Sequence, residues 1–294
     1  MKILLTGCGA PGAPAIIKLL QGARHHVTGT DINPNASGKW LCDEFFIDRY
    51  CYVDQFYLEL KREMNRFDIN QYPIDDLHKF DLVLPLVTSQ LEFWSKLEQR
   101  KIIISDHKSL IQMNSKLELM NACDRLGIDR PFYTTSDLCM KPTNSNGGRG
   151  FERIDNPENK LIMEYLPGTE WSVDCLADNR KAIVIIPRTR DKIKAGISVE
   201  TTVTYNEKII NDCKKIIESF NLFGPIGFQF KEDKNGTPKI IECNPRCQGS
   251  MCITGYAGFD IINNAVKLAA GQRLNEPDIK WGTKMIRYWN EIYV

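Results

Sequence analysis

The strongest structural signal in this chain lies in residues 224–250, which read GPIGFQFKEDKNGTPKIIECNPRCQGS. Two segments of strand-forming residues, Ile226–Lys231 and Pro238–Cys243, flank a turn that is rich in Asp, Asn and Gly. Such a turn between two strand-forming segments is typical of an antiparallel hairpin. The sequence therefore predicts two paired strands here.

Three polar residues of this hairpin are expected on one face of the sheet. Side chains alternate along a strand, so Glu242 and Asn244 share a face. Gln229 lies midway along the partner strand. If the register brings it to the same face, three oxygen donors with one carboxylate converge, a set that suits Mg²⁺ also held by substrate phosphates. The alternative is a polar face that is simply solvated.

Composition argues against several classes of function. With 294 residues, 43% hydrophobic residues, 26% charged residues and a formal net charge of +1, the chain resembles a soluble protein of about two domains. The near-neutral charge gives no reason to expect nucleic acid or an anionic membrane as a partner. No apolar run approaches a membrane span, and the first apolar segment is too soon broken by Gly7 for a signal peptide. We therefore expect a cytoplasmic protein.

The cysteines form no recognisable motif. The chain has 10 of them, scattered singly, without a Cys-x-x-Cys pair or a histidine cluster. This pattern favours reduced, mostly buried thiols over a zinc site. A cysteine nucleophile stays open as an alternative, although no histidine stands in a recognisable partner context.

Strand and helix signals alternate along the first third of the chain. This alternation predicts a parallel sheet with both faces covered, so residues 1–105 are expected to form a Rossmann-like domain. The predicted strands are Ile3–Thr6, Val27–Asp31, Leu82–Leu86 and Lys101–Ile104. The predicted helices are Ala13–Leu20, Asp54–Phe67 and Gln90–Glu98.

A glycine turn follows the first predicted strand. Residues Gly7–Gly12 fit the pattern Gly-x-Gly-x-x-Gly, with Asp31 about 20 residues further on, as in dinucleotide-binding folds. The turn needs glycines with or without a ligand, and Pro11 and Pro14 remove amide donors that a pyrophosphate would use. An NAD-dependent oxidoreductase stays open as an alternative, but it leaves the second half of the chain unexplained.

The remaining residues, 106–294, are expected to form a second domain. A helix is predicted at Asn114–Leu126, with Ser115 as a cap and Gly127 as its end. The other predicted helices are Asn206–Phe220 and Ile261–Ala270. The predicted strands before the hairpin are Leu138–Lys141, Leu161–Leu166, Trp171–Leu176, Ile183–Pro187 and Val199–Thr204.

A glycine-rich polar loop follows the strand that ends at Lys141. It comprises residues 142–151, which read PTNSNGGRGF, and such loops close over phosphates with their backbone N–H groups. Lys141 adds a positive charge for a phosphate, and the planar fork of Arg246 can hold an anion bidentately. The alternative for the loop is an ordinary hairpin turn.

Taken in order, these segments resemble the ATP-grasp superfamily, and most closely its carbamoyl-phosphate-synthetase-like branch. The resemblance runs over nearly the whole chain and implies an α/β fold, with α+β character in its second part. It rests on the TGCG turn at residues 6–9, Ser115-Lys116 on a helix that ends at Leu126-Gly127-Ile128, Lys141-Pro142 with Gly147-Gly148-Arg149-Gly150, Met163-Glu164-Tyr165-Leu166 with Gly168 and Glu170, and Gln229 with Glu242-x-Asn244-Pro245-Arg246.

The resemblance implies a site for ATP and magnesium. Lys116 and Lys141 would contact the phosphates from two sides, and Glu170 would accept the ribose hydroxyls. The adenine would bind to the backbone of residues 164–166 between apolar walls. The implied nucleotide-binding residues are Lys116, Lys141, Ser145, Gly147, Gly148, Gly150, Met163, Glu164, Tyr165, Leu166 and Glu170. The implied ligands of one or two Mg²⁺ ions, for which Mn²⁺ can substitute, are Gln229, Glu242 and Asn244.

The chemistry implied by the resemblance is phosphoryl transfer from ATP to a carboxylate, followed by attack of an amine on the acyl phosphate. Arg246 would stabilise the transition state, Lys141 would neutralise phosphate charge, and Arg188 or Arg190 would bind the substrate carboxylate. No protein nucleophile is required. The implied partners are small carboxylate and amine substrates, and a homodimer is an assembly that the resemblance allows.

The predicted lid, residues 132–168, departs from the family pattern. The chain is shorter than usual between Pro131 and Lys141, and again between Phe151 and Leu161. A reduced lid would exclude water less well, which leaves open a non-catalytic or regulatory ATP-binding protein. A carbamoyl-phosphate-synthetase-like kinase of a small acid is a further alternative. The sequence does not identify the acid or the amine.

Overall fold

The computed structural model describes residues 1–47, 77–97, 101–136, 138–140, 152–154, 160–288 and 290–293. The described helices are α1 (Ala13–Gly22), α2 (Thr88–Lys96), α3 (His107–Asn114), α4 (Lys116–Leu126), α5 (Glu207–Ser219) and α6 (Ile261–Ala269). The described strands are β1 (Lys2–Thr6), β2 (His26–Asp31), β3 (Glu44–Ile47), β4 (Leu82–Pro85), β5 (Tyr133–Thr134), β6 (Leu138–Met140), β7 (Glu152–Ile154), β8 (Ile162–Met163), β9 (Glu170–Asp178), β10 (Lys181–Lys194), β11 (Ile197–Val203), β12 (Phe223–Glu232), β13 (Pro238–Asn244) and β14 (Lys284–Ile286). Across these residues, no helix is long and apolar enough to cross a membrane.

Four strands form a parallel sheet in the first part of the chain, in the order β3-β2-β1-β4. Apolar residues such as Ile3 and Leu84 are almost completely buried in it, as expected for a sheet that is covered on both faces. The predicted parallel sheet is therefore confirmed. The predicted strand Lys101–Ile104 is wrong in extent, because the pairing there is an isolated bridge between Val83 and Ile102.

Six strands form a second, antiparallel sheet in the order β13-β12-β9-β10-β11-β14. One face of its β9–β12–β13 part packs against α4 and α5 through an apolar cluster that includes Leu119, Ile216 and Phe228. Because side chains alternate along a strand, the neighbour of Phe228, Gln229, points to the opposite face. That opposite face carries the candidate site. The mixed α/β class predicted for the chain is confirmed.

An apolar cluster joins the two parts of the chain. It contains Ile3 of β1, Ile17 of α1, Ile186 of β10 and Ile262 of α6, each 0% exposed. Residues from both sides of the predicted domain boundary at residue 105 therefore share a core. The boundary itself stays a prediction.

The helix predicted at Asn114–Leu126 is α4, which begins two residues later, and a separate helix that was not predicted, α3, precedes it. Ser115 ends α3, and its side chain also accepts a hydrogen bond from the Glu118 N–H at 3.3 Å as the cap of α4. The helix α3 starts after Asp106, whose carboxylate caps it. Gly127 ends α4 with a φ of 64°, as predicted for a glycine at that position.

The segment predicted as the lid contains two short antiparallel ladders, β5 with β8 and β6 with β7. The strand predicted at Leu161–Leu166 is shorter, whereas β10 is longer than the predicted Ile183–Pro187. The predicted helix Asp54–Phe67 and the whole of the predicted glycine loop, residues 142–151, lie outside the described residues. The extent of the lid stays a prediction.

Candidate active site

The β12–β13 hairpin has the register that the predicted metal site needs. Gln229 lies directly opposite Glu242, and Gly227 lies opposite Asn244. Opposed residues of an antiparallel pair present their side chains to the same face, as do residues two apart on one strand. The three predicted ligands therefore share a face. A bulge follows at Ile241 and shifts the register beyond it.

The donor set of this face fits a magnesium ion. The Glu242 side chain is 34% exposed, and Lys116 Nζ lies 3.9 Å from its Oε2 atom. Carboxylate and amide oxygens are hard ligands of the kind that Mg²⁺ takes together with phosphate oxygens. In the part of the chain that the structure describes, no group of three or more His, Cys, Asp or Glu side chains could hold a metal. A site here would thus depend on the amide oxygens of Gln229 and Asn244.

Arg246 is held on this face by three neighbours. Its Nε donates to Thr88 Oγ1 at 2.7 Å, its Nη1 to the Cys247 carbonyl at 2.9 Å and its Nη2 to Asn244 Oδ1 at 2.9 Å. Burial lowers the pKa of the guanidinium from its usual value. An arginine nevertheless stays protonated in proteins, so a positive charge is fixed beside the predicted metal ligands.

Glu164 anchors the segment that is predicted to bind adenine. Its carboxylate oxygens accept hydrogen bonds from Lys239 Nζ at 2.9 Å and 2.8 Å. These bonds are the main cause that lowers the pKa of the Glu164 carboxyl below its usual value. Leu166 is 4% exposed, and Met163 packs against the core beneath the sheet. The predicted contact of these two side chains with adenine stays a prediction.

Glu170, which is predicted to bind the ribose, is paired with cationic side chains. Its carboxylate accepts a hydrogen bond from Arg190 Nη1, and Lys231 Nζ lies 3.9 Å away. Arg190 also donates to Ser198 Oγ at 3.0 Å, and burial lowers the pKa of its guanidinium while Glu170 acts in the opposite direction. Lys231 also lies 5.9 Å from the ring centre of Tyr165, which is 84% exposed. The predicted roles of Glu170 and Arg190 stay predictions.

Arg188 is buried on this same face, because it lies opposite Ser172, which lies opposite Gln229. Its side chain is 2% exposed, and it donates from Nε and Nη2 to the two Asp174 oxygens at 2.7 Å and 3.3 Å. It also donates to Thr201 Oγ1 at 3.3 Å and to Gln248 Oε1 at 3.2 Å. Gln248 passes over Gly227, where an added Cβ would lie 2.1 Å from its side chain. Protein groups therefore surround this guanidinium, and its predicted contact with a substrate carboxylate stays a prediction.

The structure brings part of the predicted site together. The predicted residues that converge on the hairpin face are Lys116, Gln229, Glu242, Asn244 and Arg246. The predicted residues that lie outside the described part of the chain are Lys141, Ser145, Gly147, Gly148 and Gly150. Their contacts with phosphates therefore stay predictions.

Two residues of the site were missed by the sequence-based predictions, Thr88 and Asp174. Thr88 follows β4 closely, and the carboxyl ends of parallel strands are where open α/β sheets bind ligands, which is a signal that could have identified it. Asp174 is an acid within the buried strand β9, and a buried acid needs a partner. That signal indicates a paired cation but does not say which one.

The glycine turn near the start of the chain serves local structure. The Gly9 N–H donates to Asp31 Oδ2 at 2.7 Å, so the acid of the dinucleotide pattern is used within the turn. Gly7 has a φ of 68°, which favours glycine. A Cβ added at Gly12 would lie 2.6 Å from the Gly249 Cα. The glycines therefore allow both the turn and its close approach to the second part of the chain.

Part of the chain is similar in sequence to known proteins. A family model described as "ATP-grasp in the biosynthetic pathway with Ter operon" matches residues 156–290. Among curated proteins, the multifunctional protein pyr1-3 of Dictyostelium discoideum is 25% identical over 228 residues, which cover 69% of this chain and 9% of that protein. The chain therefore spans a small part of that relative.

Solved structures share the fold. N5-carboxyaminoimidazole synthetase from Staphylococcus aureus, complexed with ADP, has a TM-score of 0.63 and 15% identity, over 94% of this chain and 78% of that chain. The ATPase subunit of phosphoribosylaminoimidazole carboxylase from Aquifex aeolicus has a TM-score of 0.66 and 15% identity, over 100% of this chain and 83% of that chain. A third structure is the biotin carboxylase domain dimer of 2-oxoglutarate carboxylase from Hydrogenobacter thermophilus, in complex with MgADP, ADP and bicarbonate. It has a TM-score of 0.65 and 17% identity, over 96% of this chain and 73% of that chain. The chain therefore shares the fold of these structures, and its residues 156–290 match the ATP-grasp family model.

Proposed function

We propose that this protein is an ATP-dependent carboxylate–amine ligase that acts on a small-molecule acid through an acyl phosphate. The observation that carries the proposal is the shared face of the hairpin, where Gln229 lies opposite Glu242 and Arg246 is bonded to Asn244. The side-chain oxygens that we propose as ligands of a divalent cation thus lie beside the positive charge of Arg246. Phosphoryl transfer depends on this combination, because its transition state carries charge on the transferred oxygens.

In the proposed reaction, a carboxylate oxygen of the acid attacks the γ-phosphorus of ATP, and ADP leaves. An amine then attacks the acyl carbon of the resulting acyl phosphate, loses a proton and displaces phosphate. Bound Mg²⁺ would neutralise charge on the phosphate oxygens during the first step. The described contacts of Arg246 use three of its five N–H donors, so each terminal nitrogen has one donor left for phosphoryl oxygens.

The proposed ATP site extends from this face of the sheet to the segment of residues 163–166. Adenine would lie against Met163 and Leu166, and Lys116 would contact a phosphate next to the ion held by Glu242. The position of Lys116 Nζ, 3.9 Å from Glu242 Oε2, supports this arrangement because both groups can reach one phosphate–metal complex. Two of the similar structures contain ADP, one of them as MgADP. We therefore propose ATP and Mg²⁺ as the ligands, with Mn²⁺ as a substitute.

The acid is proposed to bind beside Arg190 rather than Arg188. The Arg190 side chain is 6% exposed, but its partner Glu170 is 20% exposed, so a ligand that displaces the Glu170 carboxylate can reach the guanidinium. Arg188 is enclosed with Asp174, and releasing it would leave a buried carboxylate unpaired. One similar structure is a dimer that contains bicarbonate, so we include bicarbonate among the candidate acids and a homodimer as the candidate assembly. A cytoplasmic location is part of the same proposal.

Two measurements test the proposed function. A ligand that binds the native state raises the melting temperature, so Mg-ATP should raise it and NAD should not. The purified protein is then incubated with Mg-ATP, ammonia and pools of amino acids, other small carboxylic acids and bicarbonate. ADP release that depends on one of the acids supports the ligase. A thermal shift with NAD and none with Mg-ATP contradicts the proposed site.

A non-catalytic ATP-binding protein is the second candidate function. Two hydrogen bonds favour it, because they already use the oxygen atoms of predicted ligand-binding residues. Arg246 donates to Asn244, a predicted metal ligand, and Arg190 donates to Glu170, the predicted ribose acceptor. Binding of Mg-ATP without ADP release under any acid would support this candidate. Acid-dependent ADP release that no amine changes, with a phosphorylated acid as the product, would instead indicate a kinase of a small acid.

A further inference from the structure

Thr88 and Arg246 are joined by a hydrogen bond although 158 residues separate them in the sequence. Thr88 is the first residue of α2, which follows the parallel strand β4. Arg246 follows β13 at the edge of the antiparallel sheet. The bond, 2.7 Å from Arg246 Nε to Thr88 Oγ1, therefore connects the carboxyl end of one sheet to the candidate site on the other.

We propose that Thr88 is a positioning residue that sets the orientation of the Arg246 guanidinium for phosphoryl transfer. The inference rests on the proposed function, because it assigns Arg246 to the chemical step. Thr88 would touch neither ATP nor the acid. Through its hydroxyl, the first part of the chain would contribute to chemistry that takes place on the second sheet.

The geometry of the three bonds supports this role. Thr88 and Asn244 accept hydrogen bonds from Arg246 Nε and Nη2, which form one edge of the planar guanidinium. Together these two hydrogen bonds fix the tilt and the rotation of the guanidinium. Asn244 lies on the same strand as Glu242 and is 6% exposed, so it can move little. Without the Thr88 hydroxyl, the guanidinium would keep its hydrogen bonds to Asn244 and to the Cys247 carbonyl. It could then rotate about these two hydrogen bonds. A shift of a few tenths of an ångström is enough to weaken contacts that act in a transition state.

The hydrogen bond is charge-assisted, which makes it strong enough to matter. Hydrogen bonds to charged groups are stronger than those between neutral groups, so losing one that acts in the transition state is expected to lower kcat about tenfold or more. Thr88 is half-buried and begins a helix, where valine has a similar shape. Replacing the hydroxyl by a methyl group therefore removes the hydrogen bond while it keeps the side-chain volume.

The test compares three variants with the wild type. In Thr88→Val, kcat for acid-dependent ADP release should fall about tenfold or more, while the KM for ATP changes less than about twofold. In Thr88→Ser, which keeps a hydroxyl, kcat should stay close to the wild-type value. The matched control is Ser89→Ala, which removes a hydroxyl from the next, exposed residue and should change neither constant. A Thr88→Val enzyme with wild-type kcat, or a Thr88→Ser enzyme as slow as Thr88→Val, would overturn the inference.

A second measurement does not depend on enzyme activity. In the ¹⁵N NMR spectrum of the arginine side chains, the Nε–H signal of Arg246 is identified by its loss in Arg246→Lys. Its hydrogen should exchange with water more slowly in the wild type and in Ser89→Ala than in Thr88→Val. If the wild type releases no ADP with any acid, the proposed function fails while this measurement still reports on the contact. Equal exchange in the wild type and Thr88→Val would rule out the positioning role.

Discussion

Replacing Asp174 by asparagine is expected to destabilise the protein strongly, because it leaves the charge of Arg188 buried without a counter-ion. The two side chains are 0% and 2% exposed. Two hydrogen bonds of Arg188 go to the Asp174 oxygens, at 2.7 Å and 3.3 Å. Its other described partners, Thr201 and Gln248, are neutral and cannot replace the lost charge.

The size of the effect follows from this burial. Removing one partner of a buried ion pair costs about 3–5 kcal/mol. Asparagine keeps one oxygen that can accept a hydrogen bond from Arg188, so we expect the lower end, about 3 kcal/mol. At about 2–4 °C per kcal/mol for a chain of this size, the melting temperature of Asp174→Asn should fall by roughly 6–12 °C.

Thermal and urea unfolding monitored by circular dichroism provide the assay. Asp178→Asn, at the half-exposed end of the same strand, is the control and should change the free energy of unfolding by about 0.5 kcal/mol or less. Arg188→Met should destabilise the protein as Asp174→Asn does, because it leaves the carboxylate unpaired. The double variant Asp174→Leu with Arg188→Met removes both charges and should recover most of the lost stability.

A substrate-binding role of Arg188 would give a different result. If Arg188 binds the substrate carboxylate, Arg188→Met should raise the KM for the acid while the melting temperature stays near that of the wild type. A wild-type melting temperature in Asp174→Asn would likewise show that the pair does not hold the sheet together. Either outcome would return Arg188 to the list of substrate-binding residues.

Two further predictions follow from the same face of the sheet. Arg246→Lys should lower kcat by more than it raises the KM for ATP, because lysine cannot reproduce the planar, two-donor geometry of the guanidinium. Steady-state ADP release measures both constants. An unchanged kcat would mean that Arg246 does not act in the chemical step. Gly227→Ala should lower the free energy of unfolding by about 1–3 kcal/mol, because the new Cβ would lie 2.1 Å from the Gln248 side chain. Gly22→Ala, with no atom within 4 Å of the new Cβ, is its control, and equal stability of the two variants would mean that Gln248 moves aside freely.

The hairpin was predictable from sequence because its information is local. The turn residues between β12 and β13 determine the pairing, and alternation then places Gln229 and Glu242 on one face. Ser115 and Gly127 were recognised from the same kind of local signal. The extent of β10 was not, because its second half contains Arg190 and Lys192, and charged residues in an extended strand resemble a loop when their partners are unknown.

The contacts that complete the site were not predictable in this way. Thr88 meets Arg246 only after the two sheets have packed together, and no local pattern encodes that meeting. Which of Arg188 and Arg190 can bind the substrate carboxylate depends on which of them is covered by Gln248, and the structure shows that this is Arg188. Both arginines lie on one strand, two residues apart, so the sequence pattern treats them alike. Their different roles arise from tertiary packing.

The most direct test of the proposed ligase compares Glu242→Gln with the wild type in acid-dependent ADP release. Glu242 is the sole carboxylate among the three proposed metal ligands, and glutamine keeps its shape while it removes the charge. Glu218→Gln, which changes an exposed glutamate of α5, is the control. We expect Mg²⁺-dependent ADP release in the wild type and in Glu218→Gln, and none above background in a folded Glu242→Gln protein. Wild-type turnover in Glu242→Gln would contradict it and place the metal elsewhere.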